Sequence, residues 1–106
     1  GRSDDIIISA GWTMSAIEIE DVLLKHDKVE EAAVIGVPDE MRGLIAKAFL
    51  VCSTNEHEGL AKELQEFAKS RLSLHEYPRD IEFVDAIPKT PAGKVNRKVL
   101  REQLVT

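Results

Sequence analysis

A chain of 106 residues, 43% of them hydrophobic and 31% charged, is sized for one globular domain with a single modest core. Its formal net charge of −5 argues against general nucleic-acid binding, yet Lys89, Lys94, Arg97, Lys98 and Arg101 crowd the C-terminal stretch and leave a local phosphate site open. Cys52 is the single cysteine, which excludes a disulfide framework or a cysteine-based metal site within one chain, and no apolar run reaches the length of a membrane span or forms a signal-peptide core.

A reducing compartment, the cytoplasm, is therefore expected. The chain begins with Gly1 rather than Met, which suggests a fragment or a processed start. After a polar lead-in, Ile6-Ile7-Ile8 reads as a β-branched strand, broken by Gly11 and returned as Trp12-Thr13-Met14 in a small hairpin. Ser15-Ala16-Ile17-Glu18 matches a capping box and starts a helix. Placing residues 16–26 at helical spacing puts Ala16, Ile17, Ile19, Val22, Leu23 and Leu24 on one broad face, with Glu20 inside it. A carboxylate there needs a partner, either a backbone N–H of this domain or a group on a second one.

Val29 to Val37, cored by Ala32-Ala33-Val34-Ile35, and Leu44 to Cys52 read as two strands joined by the breaker-rich loop Pro38–Gly43, an antiparallel pair at the centre of a sheet. Thr54 to Gly59 resembles a short linker. Leu60, Leu64 and Phe67, with Ala61 and Ala68, give the next helix its apolar stripe, while Lys62, Glu63, Glu66 and Lys69 face water. Pro78 ends that region, and Ile81 and Phe83 alternate with Asp80 and Glu82 as in a half-buried strand. Pro88 to Lys98 follows as a basic loop with a path defined by two prolines and a glycine. Asn96 is the candidate N-cap of a closing helix carrying Val99, Leu100 and Leu104. The elements predict a small α+β domain: a mixed or antiparallel sheet with about three helices packed on it, an N-terminal hairpin, and a C-terminal basic loop plus helix.

Nothing here reads as a self-sufficient active site. There is no P-loop, no metal-ligand spacing around Cys52 or His57, and His26, His57 and His75 lie scattered on different elements. Lys94, at the tip of the basic loop and just before a helix start, is either part of a solvated turn or a cation placed for an anionic visitor.

The two ends of the chain fit one family. Gly1-Arg2-Ser3-Asp4-Asp5-Ile6-Ile7, then Gly11 and Glu18-Ile19-Glu20, closely resembles the hinge motif that opens the C-terminal domain of acyl-adenylate-forming ligases, the AMP-binding enzymes. Pro88-Lys89-Thr90, Gly93-Lys94-Val95, Arg97 and Leu100-Arg101 resemble the motif that closes it. The resemblance spans residues 1–106, with the hinge motif in 1–5 and the lysine motif in 88–101, and is closest to short- or medium-chain acyl-CoA synthetases.

The resemblance implies that Lys94 is the catalytic lysine of adenylation, reaching the acid's carboxylate and the α-phosphate of ATP. It implies Asp4 as the hinge, Arg2 as a contact to the nucleotide, and Gly11 as a lining residue of the pantetheine passage. Trp12 beside it is either a packing residue or part of the thiol's route. The family commonly has a basic residue two positions after the glycine, and Thr13 stands there instead, which puts the coenzyme A contacts in question. Also implied are ATP with Mg2+ and coenzyme A in the full-length enzyme, none held tightly by this domain alone, no resident metal, and a small carboxylic acid as substrate. The large N-terminal domain would be the main partner, and an acetyltransferase and deacetylase acting on Lys94 would regulate it. On this reading the isolated chain is inactive. Two alternatives stand beside it: the same lid with a carrier-protein acceptor, and a free-standing, non-catalytic interaction module.

Overall fold

The computed structural model describes residues 6–9, 11–41, 43–72 and 76–104. Ile6–Ser9 (β1) and Trp12–Ser15 (β2) form the expected antiparallel hairpin. Ser9 lies opposite Trp12, so Gly11 is the second residue of a two-residue loop and takes φ of 84°, open to glycine and strained for other residues. The hairpin has two unlike faces. Ile7 and Met14 are buried beneath it, whereas Ile6 and Ile8, paired with Ser15 and Thr13, stand exposed on the other side.

Ser15 ends the hairpin and caps the first helix, α1 (Ala16–Leu23), its hydroxyl accepting from the Glu18 N–H at 3.3 Å. The helix is shorter than the 16–26 periodicity suggests. Lys25 and His26 bond back to Val22 and Leu23, three residues away, which tightens the last turn and turns the chain toward the sheet. Its buried face is also narrower than expected: Ile17 and Leu24 are 45% and 44% exposed, because the sheet covers only the stripe of Ala16, Ile19, Glu20, Val22 and Leu23.

Val29–Asp39 (β3) and Gly43–Cys52 (β4) pair antiparallel over nearly their whole length, with a register irregularity between Val29 and Glu31. The strands thus run into both ends of the segment expected as a six-residue loop: Pro38 pairs with Leu44 and Asp39 with Gly43. Proline is tolerated because β3 is an edge strand, where a missing N–H deprives no neighbour. The sheet runs β3-β4-β5, so only β4 is central. Leu60–Arg71 (α2) carries the chain across to Asp80–Phe83 (β5), which pairs parallel with β4. Arg97–Leu104 (α3) closes the chain.

Both faces of the sheet are covered, which explains why Ala32 to Ile35 read as an uninterrupted apolar run. On one face Ala32, Val34, Ala46, Ala48 and Leu50 pack against the hairpin, α1 and α2. On the other, Ala33, Ile35 and Phe49 meet Ile87 and Leu100. The hairpin with Gly11 and the basic loop with α3 therefore belong to opposite sides of the sheet. Among the described residues, no helix is long and apolar enough to cross a membrane, and no group of side chains is arranged to hold a metal ion. His57 stacks on Phe83 at a centroid distance of 4.0 Å.

Two consequences are measurable. A Cβ at Gly36 would lie 3.3 Å from Ile7 Cγ2 and 3.4 Å from Leu44 Cδ1, where hairpin and sheet approach each other. Gly36→Val is expected to destabilise the fold by about 1–3 kcal/mol in urea unfolding, more than Gly36→Ala, since overpacking forces Ile7 to shift. The Cys52 thiol is pushed up from its ordinary value by burial and by the Glu30 charge. Its alkylation by iodoacetamide at mildly alkaline pH is expected to be slower in the native chain than in the urea-unfolded one.

Candidate active site

The basic loop is a tight hairpin of its own. Lys89 and Val95 form an antiparallel bridge, Asn96 N–H donates to the Pro88 carbonyl at 2.9 Å, and Thr90 N–H donates to the Lys94 carbonyl at 2.7 Å. Between them Gly93 N–H returns to the Thr90 carbonyl at 2.8 Å, closing a turn through Pro91 and Ala92. Gly93 takes φ of 82°, the left-handed position that follows such a turn in a three-residue hairpin loop. Lys94 comes next, its own N–H 3.3 Å from the Thr90 hydroxyl. The sequence chooses each of these parts: proline presets the first turn angle, and glycine supplies the positive φ.

The loop is tied down on both sides of its tip. Ile87 and Leu100 are buried in the second core, and the Lys89 ammonium pairs with Glu31 of β3. The Asn96 carboxamide caps α3, accepting from the Val99 N–H at 3.2 Å. Lys94 stands at the tip. It is exposed, and among the described residues its ammonium forms no ion pair, so the loop carries this cation on a braced stalk.

The firmest anchor is Arg97. Its Nη2 donates to Glu20 Oε2 at 2.6 Å and its Nε donates to the Val34 carbonyl at 3.1 Å. The same Glu20 oxygen accepts from the Val34 N–H at 2.7 Å. Glu20 and Arg97 thus occupy both backbone groups of Val34 at the open edge of β3, α1 arriving from one face of the sheet and α3 from the other. Their side chains are 10% and 11% exposed. Burial pushes the Glu20 carboxyl above its ordinary value, against the opposing pull of the Val34 N–H and the Arg97 charge.

This resolves the partner of Glu20 in favour of its own domain. It also joins the two terminal motifs, since Glu20 comes from the opening one and Arg97 from the closing one. Sequence spacing places Glu20 on an apolar face, but the pairing with Arg97, 77 residues away, has no local signal.

Comparison with known proteins settles what carries these motifs. The family described as AMP-binding enzyme C-terminal domain matches residues 18–94. The chain belongs to this family. It is 46% identical over 104 residues to an uncharacterized acyl–CoA ligase, YtcI, of Bacillus subtilis, covering 96% of this chain and 20% of that protein. It is 43% identical over 107 residues to the mitochondrial acyl-coenzyme A synthetase ACSM4 of Rattus norvegicus, covering 97% and 18% respectively. Among solved structures, the acyl-CoA synthetase of Brucella canis superposes with a TM-score of 0.91 at 47% identity, over 99% of this chain and 20% of that one. The chain therefore spans about a fifth of the length of the relatives it matches, and the α+β architecture is that of their C-terminal regions.

Within this AMP-binding enzyme C-terminal domain, the residues singled out from sequence fall in different places. Lys94 and Gly11 are on separate loops on opposite sides of the sheet, and the fold does not bring them together. Thr13 is exposed, opposite Ile8 on the outer face of the hairpin. Arg2, Asp4 and the side chain of Trp12 lie outside the described residues, as does His75.

Proposed function

We propose that this chain is the mobile C-terminal domain of an ATP-dependent, AMP-forming acyl-CoA synthetase, in which Lys94 serves the first half-reaction and the Gly11 hairpin the second. What carries the reading is the placement of Lys94: an exposed cation at the tip of a loop braced through Lys89, Arg97 and Leu100, on the side of the sheet away from Gly11. A lid with two working faces, turned about a hinge at Asp4, can present them one at a time.

In the first step a carboxylate oxygen of the acid attacks the α-phosphorus of ATP. An acyl–phosphate bond forms, the bond to the β-phosphate oxygen breaks, and pyrophosphate leaves with the electron pair. Negative charge develops on the α-phosphoryl oxygens, and the Lys94 ammonium, held on its stalk, stabilises it there. Arg2 would steady the nucleotide. ATP enters as its magnesium complex, a substrate. In the second step a thiol attacks the acyl carbonyl and AMP leaves. Gly11, with no side chain and nothing within 4 Å of where a Cβ would stand, leaves room for the pantetheine arm of coenzyme A. Ile6, Ile8 and Ile17, all exposed, give the hairpin side an apolar surface suited to the missing N-terminal domain.

Exposure also makes Lys94 open to acylation by an acetyltransferase, which would remove the charge that the first step uses and silence the enzyme until a deacylase restores it. A reducing compartment suits the lone thiol; the cytoplasm is the reading here by analogy with the bacterial relative, whereas the mammalian relatives are mitochondrial.

The acceptor is a second question, because Thr13 occupies an exposed position where a cation would otherwise meet coenzyme A phosphates. A carrier-protein thiol is the competing acceptor. The test is an assay of the parent chain with ATP and a panel of short- and medium-chain acids, trapping acyl-AMP with hydroxylamine, then offering coenzyme A or a holo carrier protein. Hydroxamate with the parent chain, none with the 106-residue chain alone, and thioester with coenzyme A are expected. No hydroxamate with any acid would remove the ligase reading and point to a free-standing module.

A further inference from the structure

The edge of β3 holds a device that the ligase reading takes only as a brace. Val34 offers one N–H and one carbonyl to the open side of the strand, and Glu20 and Arg97 take both, as a neighbouring strand would. Arg97 is the first residue of α3 and stands three positions after Lys94. The chain between them includes Asn96, whose N–H fixes the base of the loop to Pro88 and whose side chain caps α3. Fixing the Arg97 guanidinium to two points on a rigid strand therefore fixes where the Lys94 stalk begins. Lysine at this position could reach one of the two acceptors, not both, because its ammonium is a point charge and not a fork.

We infer that Arg97, held by Glu20 and the Val34 backbone, is a positioning residue for Lys94, so that the buried pair sets the geometry of the adenylation step and is silent in thioester formation. The inference rests on the ligase reading of Lys94. The Lys89–Glu31 pair braces the other arm of the loop but is about 40% exposed on each side, so it leaves the register to Arg97.

The test uses the full-length parent ligase with Arg97→Lys and Glu20→Gln, each alone and combined with Lys94→Ala. Pyrophosphate exchange reads the first half-reaction, and coenzyme A thioester formation from supplied acyl-AMP reads the second. Arg97→Lys is expected to lower the exchange kcat about 10-fold or more, in line with the cost of small misplacements, with the KM for the acid nearly unchanged. Glu20→Gln should show a smaller loss of the same kind, since the amide oxygen still accepts from Val34. Thioester formation should stay within about 2-fold, and on the Lys94→Ala background neither change should lower exchange further, as for residues acting as a unit.

Equal losses in both half-reactions, or losses that multiply with that of Lys94→Ala, would make Arg97 merely structural and overturn the inference. If Lys94→Ala itself leaves exchange intact, the ligase reading of Lys94 fails first, whatever Arg97 does. Should Arg97→Lys lower the yield of folded enzyme, Glu20→Gln decides by the same ratios.

Discussion

On the proposed function, Lys94→Ala in the parent chain is expected to lower acyl-AMP formation by about 100- to 1,000-fold, the usual cost of removing one pre-placed donor from a developing oxyanion. The expectation follows from the loop's construction. Its backbone is closed by the Lys89–Val95 bridge and the Thr90–Gly93 turn, so truncating the side chain at residue 94 removes a charge and leaves the scaffold standing. The loss should fall on kcat more than on the KM for ATP, because an exposed lysine contributes little until charge accumulates in the transition state. Lys94→Arg should recover part of the rate: the charge is kept, but a broad, planar guanidinium does not place it where a compact ammonium would. Hydroxamate trapping over a series of ATP concentrations separates the two parameters.

Arg97→Met is the largest expected effect on stability, about 3–5 kcal/mol in urea unfolding, because it strands a buried carboxylate that has lost its partner. The Val34 carbonyl loses its donor in the same stroke. Glu20→Gln should cost less, about 1–2 kcal/mol, since the amide oxygen can still accept from both the Val34 N–H and Arg97 and what is lost is the charge of the pair. An apolar pair in place of both residues cannot rescue the site, because the Val34 N–H and carbonyl would then be left without partners at the sheet edge. The two losses also differ in pH dependence. The Glu20 carboxyl is already pushed up by burial, and removing Arg97 takes away one of the influences that hold it down. A carboxyl whose folded value is raised binds its proton more readily folded than unfolded, so its favourable contribution is present at low pH and lost as pH rises through that value. The deficit of Arg97→Met should accordingly be greatest near neutrality and shrink on acidification. A deficit that grows on acidification would mean that Glu20 is held ionised by something other than Arg97.

Local patterns carried most of the fold. The capping box placed Ser15, the alternation around Ile81 found β5, and the proline–glycine spacing marked the basic loop as one with a defined path, whose bonds around Thr90 and Gly93 the structure supplies. What escaped was what depends on the partner surface. Ile17 and Leu24 lie on the apolar side of a helical wheel but beyond the sheet that covers α1, and Pro38 reads as a breaker until an edge strand accommodates it. The candidate site divides in the same way. The position of Lys94 was legible because a turn and a helix start frame it, its proposed role only through the family resemblance, and Glu20 because a charge on an apolar face must be paired. Its pairing with Arg97, 77 positions away, is a property of the folded sheet edge, invisible to any local window of sequence.

The measurement closest to the proposed function is a crossed comparison of Lys94→Ala and Gly11→Ala in the parent chain, with pyrophosphate exchange and thioester formation from supplied acyl-AMP measured side by side. Opposite patterns are expected: Lys94→Ala loses exchange and keeps thioester formation, while Gly11→Ala keeps exchange and loses thioester formation. If both variants lose the same half-reaction, or both lose the two in equal measure, the two sides of this domain do not serve separate steps and the lid account is wrong.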